Sequence, residues 1–113
     1  MKSKIVALSK NEEFKNLLNQ RKLSNKYVTI FFGKLINKDH KKLNISFVTK
    51  KKIGNAVRRN KIKRRLRNIM NDAVKKISIN FEYSFLVIAK SSMLNNEYKI
   101  IKETLFQDFE KIK

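Results

Sequence analysis

The chain has 113 residues, enough for one domain with one modest core, and 42% of them are hydrophobic, too many for a disordered tail. Twenty-eight Lys and Arg against nine Asp and Glu give a net charge of +19, a surface that draws polyanions: nucleic acid first, an anionic membrane second. The absence of cysteine excludes disulfides, thiol chemistry and Cys-ligated zinc, and no apolar run approaches the ~20 residues that span a bilayer. Residues 1–10 are basic but lack an apolar stretch of signal-peptide length, so a cytoplasmic protein with no membrane partner is expected.

No linker or repeat divides the chain, which reads as a single domain over residues 1–113. Ser9 is a candidate N-cap, with Glu12 and Glu13 in the first turn of a helix that carries Phe14, Leu17 and Leu18 on one face. Arg21 to Asn25 reads as a turn. Tyr27 to Leu35, rich in β-branched and aromatic residues, reads as a strand. Asn37 to Lys42 is a polar connection, and Leu43 to Thr49 a second strand with Leu43, Ile45 and Phe47 on one face. Lys50 to Asn55 is a basic loop holding Gly54. Ala56 to Ile77 reads as a long helix, with Ile62, Leu66, Ile69, Ala73 and Ile77 as its apolar stripe. Asn80 to Glu82 is a turn, Tyr83 to Ala89 an interior strand buried on both faces, and Ser91 to Asn96 a loop. Glu97 to Ile112 closes the chain as a helix with Ile100, Ile101, Leu105, Phe109 and Ile112 inward. The expected order is α-β-β-α-β-α, with room for one more short strand near Lys34 to Leu43.

Charge alone is a poor guide here. The richness in Lys, Ile and Asn, with two Gly and no Pro, is the mark of A/T-rich coding, which inflates lysine everywhere. Arginine is the better probe, since that bias works against it. Of the six arginines, Arg58, Arg59, Arg64, Arg65 and Arg67 fall within ten residues, and only Arg21 lies elsewhere. From His40 to Asn71 there is no acid, while the stretch holds Lys41, Lys42, Lys50, Lys51, Lys52, Lys61, Lys63 and those five arginines. Such a block repels itself unless phosphates neutralise it and release their counterions.

On a helix advancing ~100° per residue, Arg59, Asn60, Lys63, Arg64 and Arg67 form one arc beside the apolar stripe, with Arg58, Lys61 and Arg65 on the other flank. Arginine suits this place because its planar fork grips phosphate oxygens bidentately. Gly54 permits close backbone approach, and the N–H groups at the helix start add an anion site. The pattern points to nucleic acid and leaves RNA and DNA both open. The aromatics Phe14, Tyr27, Phe31, Phe32, Phe47, Phe81, Tyr83 and Phe85 are mostly core, with Phe14 the foremost candidate to stack on an unpaired base.

Reaction machinery is missing from the sequence. His40 stands alone in a loop, and the carboxylates are scattered without metal-ligand or acid/base spacing. Glu12 and Glu13, adjacent on a helix, do not face each other and compensate the helix dipole. No catalytic or metal-binding residue is expected in the protein itself.

The segment Lys51-Lys52-Ile53-Gly54-Asn55-Ala56-Val57-Arg58-Arg59-Asn60-Lys61-Ile62-Lys63-Arg64-Arg65-Leu66-Arg67 strongly resembles the signature of the bacterial ribonuclease P protein family. Leu8 through Phe14 is similar to that family's first helix, Phe85 to Lys90 to its last strand, and Glu97 onward to its closing helix. The resemblance implies an α+β single-domain α-β-β-(β)-α-β-α sandwich with a left-handed β-α-β crossover through the basic helix. It implies the catalytic RNA of ribonuclease P as partner and precursor tRNA as substrate, with no DNA partner. The RNA would remove the 5′ leader using Mg²⁺ that it binds itself, so the holoenzyme is an endoribonuclease and the protein alone is non-catalytic. The protein would add positive charge where two polyanions meet and offer the leader a groove that mature tRNA cannot occupy.

By position, the resemblance carries RNA binding to Asn55, Arg59, Asn60, Lys61, Lys63, Arg64 and Arg67; the charge pattern adds Lys51, Lys52, Arg58 and Arg65. The leader-cleft candidates are Phe14, Leu18, Ile30 and Phe31, the last two being alternative counterparts of one strand aromatic. Lys61 stands where the family usually has arginine, Lys50 where a small residue is usual, and Leu18 where a second cleft aromatic is common. The alternative reading is a ribosome-associated or RNA-chaperone protein with no part in cleavage.

Overall fold

The computed structural model describes residues 5–7, 11–34 and 42–112, with residues 6 and 11–14 described by backbone alone. Ser9, Asp39, His40 and the span expected to hold an extra strand beyond Lys34 lie outside the described residues. The elements are β1 (Ile5–Val6), α1 (Asn11–Leu18), β2 (Arg21–Ser24), β3 (Val28–Lys34), β4 (Leu43–Val48), α2 (Ala56–Lys76), β5 (Tyr83–Ala89) and α3 (Tyr98–Lys111). Single 3-10 turns at Lys51–Ile53 and Ser91–Leu94 lie within the two segments read as loops.

The strands form one mixed sheet in the order β1-β4-β5-β3-β2. β5 pairs antiparallel with β3 and parallel with β4, so α2 is the crossover between two parallel neighbours, β4 and β5. The result is the expected α+β single-domain sandwich. No helix among the described residues is long and apolar enough to cross a membrane.

Strand alternation divides the sheet into two unlike faces. Val28, Ile30 and Phe32 of β3, Leu43 and Ile45 of β4, and Phe85, Val87 and Ala89 of β5 enter the main core. There they meet Ile62, Leu66, Ile69, Met70 and Ala73 of α2 and Ile101, Leu105 and Phe109 of α3. Phe85 sits edge-on to Phe109 with ring centroids 5.2 Å apart, and Tyr83 edge-on to Phe32 at 5.7 Å. The other face is smaller: buried Leu17 of α1 and Leu86 of β5, with half-buried Phe31, Val48 and Ile88 around them. α1 lies so close to β3 that a Cβ on Gly33 would meet Leu17 Cδ2 at 3.2 Å and Gln20 Cγ at 3.0 Å. Glycine is what lets the helix seat there.

Two expectations change. Arg21 to Asn25 is not a turn; its first four residues are the edge strand β2, paired antiparallel to β3 with Leu23 opposite Ile30. The reversal comes later, at Asn25, whose Oδ1 accepts from the amides of Tyr27 (2.7 Å) and Val28 (2.9 Å). Asn25 Nδ2 donates to Asp108 Oδ2 at 2.6 Å, tying the turn to α3. Ile100 is 46% exposed rather than inward, because it sits one helical step off the stripe of Ile101, Leu105 and Phe109. β5 is the expected interior strand buried on both faces, with Phe85, Val87 and Ala89 on one side, Ser84 and Leu86 on the other, and Tyr83 and Ile88 half-covered. The α2 and α3 helices are also joined by Lys102 Nζ to Asp72 Oδ2 at 2.6 Å. That hydrogen bond holds the Asp72 carboxyl below its ordinary pKa and the Lys102 ammonium above its own.

Leu66 is fully buried at the centre of the α2 seat. Leu66→Ala is expected to cost about 3 kcal/mol through lost transfer energy and a residual cavity, read as a lower urea midpoint with an unchanged slope.

Candidate nucleic-acid interface

The basic helix begins at a built corner. Asn55 caps it, its Oδ1 accepting from the Arg58 amide at 3.0 Å. Gly54, immediately before, has φ +157° and ψ −168°, a conformation that side chains strain to adopt. A Cβ there would meet Arg58 Cδ at 2.9 Å. The first turn of α2 carries no acid, so its N-terminal partial positive charge is uncompensated by the helix itself.

The structure sorts the candidate residues into groups. Asn60, Lys63, Arg64 and Arg67 line one groove on the outer side of α2 together with Val57. Lys63 and Arg67 also line a second groove, against Ile5, Ala7 and the residues from Ile45 to Val48 at the β4 edge. Arg59 is half-buried with its Nε hydrogen-bonded to nothing, a donor the fold leaves unused. Lys61 and Arg58 are exposed, the latter lying over Gly54. Arg65 turns toward the Ser91–Leu94 turn, its Nη1 donating to the Met93 carbonyl at 3.5 Å. Asn55 and Arg65 therefore serve the fold with at least part of their hydrogen-bonding capacity.

The ion pairs found among the described residues are Lys102–Asp72 at 2.6 Å and Lys111–Asp108 at 3.9 Å, and neither takes a cation from the segment between Lys50 and Arg67. Asp72 and Asp108 thus spend their charge on α3 and its neighbours, and among the described residues no acid pairs with the outer arc of α2.

The α1 face of the sheet holds the second candidate site. Phe31, paired across the sheet with Leu86, lies on this face, half-buried beside Val48 and Ile88. Ile30 does not: it is 0% exposed and points into the main core. This corrects its place among the cleft candidates, and alternation is the cause, since neighbouring strand residues face opposite ways. Leu18, the last residue of α1, is 49% exposed. Phe14 falls on α1, and its side chain lies outside the described residues. At one end of this face Thr29 and Ile88 share a groove with Lys50, Lys52, Ile53, Lys90 and Ser91, so three lysines border it. Lys51 is exposed on the same turn.

Sequence reasoning missed Val57, Val48, Ile88 and Lys90 as site-lining residues. Alternation puts Thr29 with Phe31, and Leu86 with Ile88, on one face of their strands, but the packing of the helices decides that this face is the cleft wall; nothing in the sequence placed Val57. Among the described residues no group of three or more His, Asp or Glu is arranged to hold a metal.

A cationic helix face on an α+β sandwich, with a half-covered apolar patch on the opposite face of the sheet, defines a class of small basic proteins. Residues 3–113 match the family model described as Ribonuclease P. The chain is 37% identical over 102 residues to the ribonuclease P protein component of Carboxydothermus hydrogenoformans, covering 87% of this chain and 83% of that protein. It is 32% identical to the ribonuclease P protein component of Mycoplasma mycoides over 113 residues, the full length of both. The ribonuclease P protein from Thermotoga maritima has a similar fold, with TM-score 0.80 at 24% identity over 96% of this chain and 98% of that one. The chain belongs to the ribonuclease P protein family.

Gly54→Ala is expected to destabilise the protein by about 1–3 kcal/mol through backbone strain, and to displace Arg58. Chemical denaturation reads the first effect; a midpoint equal to wild type would show that the corner tolerates a Cβ.

Proposed function

We propose that the chain is the protein subunit of ribonuclease P, acting in the cytoplasm on RNA rather than through side-chain chemistry of its own. In this reading the outer face of α2 binds the catalytic RNA, and the α1 face of the sheet takes the 5′ leader of precursor tRNA. The observation that carries it is the arc of Asn60, Lys63, Arg64 and Arg67, gathered on one groove and matched by none of the chain's described acids.

The physics follows from the two surfaces. Guanidinium groups of Arg64 and Arg67 supply bidentate phosphate contacts, and Lys63 a point charge. Each phosphate neutralised releases counterions, which makes the complex salt-sensitive. On the sheet, the Phe31 ring offers a stacking face to an unpaired base, while Lys50, Lys52 and Lys90 meet the backbone phosphates of the same strand. A leader bound there favours precursor over mature tRNA, since the product has no such strand. Mg²⁺ in this scheme is ligated by RNA; the described residues offer no carboxylate cluster for it, and no step is assigned to a metal held by this chain.

Reconstitution tests the reading. The purified protein added to a bacterial ribonuclease P RNA at low Mg²⁺ is expected to stimulate 5′ cleavage of precursor tRNA and to bind precursor in preference to mature tRNA. No stimulation over RNA alone, or equal binding of the two tRNAs, sinks it in favour of a general RNA-binding role. For the helix face, Arg64→Ala combined with Arg67→Ala is expected to weaken RNA binding and to flatten the log K against log salt slope by about 1 to 2. An unchanged slope would remove α2 from the interface.

A further inference from the structure

Val57 is the one large apolar side chain of α2 that the fold does not use. It is 76% exposed, the most exposed of the large hydrophobic residues described. On the helix it lies about 165° from the centre of the buried stripe formed by Ile62, Leu66, Ile69, Met70 and Ala73, so it points straight away from the core. Valine gains nothing there from helix propensity either: β-branching makes it a poorer choice than Ala, Lys or Glu on an exposed turn. A single exposed valine is ordinary on a protein surface. This one, however, lines a groove whose other walls are Asn60, Lys63, Arg64 and Arg67. Val57, Asn60, Arg64 and Arg67 follow one another at spacings of three, four and three residues, the spacing of one continuous helix face.

We infer that Val57 is the apolar seat for an unpaired nucleobase of the RNA partner, with Asn60 beside it to read the base edge and the cations behind to hold the flanking phosphates. The inference rests on the proposed RNA-binding reading and deepens it. A row of cations alone reads a phosphate backbone and is indifferent to whether the bases are paired. A methyl-bearing side chain in their midst contributes only against an apolar surface, and in RNA the available one is the flat face of a base out of its stack. Asn60 adds a donor and an acceptor on the same side chain, one helical turn along, which suits a base edge better than a phosphate. The face thereby prefers RNA with unpaired nucleotides over a continuous duplex.

The test separates apolar from ionic contributions. Val57→Ala keeps or improves helix propensity, so folding is preserved; Val57→Ile keeps the apolar seat and serves as the conservative control. Binding to a transcribed bacterial ribonuclease P RNA is measured across a salt series, beside a plain RNA duplex as second probe. The expected result is about fifteenfold weaker binding of Val57→Ala to the structured RNA, corresponding to the loss of two methyl groups from contact, with the salt slope unchanged. Val57→Ile binds as wild type, and the duplex shows no difference among the three proteins. Equal affinity of Val57→Ala and wild type for the structured RNA, while the Arg64→Ala and Arg67→Ala double variant still loses affinity, overturns the seat and leaves the RNA-binding face intact. An equal loss on the duplex also overturns it. If the double arginine variant shows no loss either, it is the reading of α2 as the RNA-binding face that fails.

Discussion

One helix has to be two things at once, and the protein is arranged around that requirement. α2 is the largest apolar contributor to the core among the helices, and it is also where the arginines are concentrated. Its circumference is therefore partitioned: Ile62, Leu66, Ile69, Met70 and Ala73 go down onto the sheet, and Val57, Asn60, Arg64 and Arg67 face out. Neighbouring cations about 6 Å apart repel by roughly 0.7 kcal/mol in water, before salt screens them. Each buried Leu, Ile or Met of the seat contributes on the order of 1.5–3 kcal/mol. The seat outweighs the repulsion, so the helix persists although no described acid pairs with the cations of its outer arc. A cap from Asn55 in place of first-turn acids is consistent with this. Acids there would have neutralised the face the fold exposes.

The long elements could be read from the sequence because their periodicity is long. α2 offers a stripe repeated over about four turns, β4 an alternating pattern and β5 an apolar run, so all three fall within a residue or two of their expected limits. β2 could not be read. Arg21, Lys22, Leu23 and Ser24 hold one apolar residue among them, and what makes them a strand is the free edge of β3, a tertiary fact. β1 has the same problem at two residues, its pairing supplied by β4. Ile100 and Ile101 are chemically identical neighbours, and only the direction from which the sheet approaches α3 decides which is buried.

The sites divide in the same way. The cationic arc followed from spacing, since a helix fixes where every third and fourth residue points. Whether those cations were free did not follow, because it depends on where Asp72 and Asp108 reach in three dimensions. Arg65 shows the limit: its spacing places it with the other cations, and its contact with the Met93 carbonyl comes from a turn more than twenty residues away. On the sheet, alternation requires that Ile30 and Phe31 face opposite ways, but the order of the layers is needed to say which faces the core.

That order of layers also explains why one face of the sheet is closed and the other partly open. α2 has 21 residues and α3 has 14, lengths of roughly 31 and 21 Å, and together they roof the main-core face. α1 has eight residues, roughly 12 Å, against strands of seven that run roughly 23 Å. It cannot cover the sheet it lies on. Leu17 and Leu86 are sealed where it sits, and Phe31, Val48 and Ile88 are left half-covered around them. A deficit of helix length thus becomes a strip of accessible apolar surface, bordered at one end by Lys50, Lys52 and Lys90. The ligand such a strip favours is itself apolar on its faces and anionic along its length, which is the chemistry of a single strand of nucleic acid. The proposed leader site needs no cavity carved for it; it follows from α1 being too short to close the sandwich.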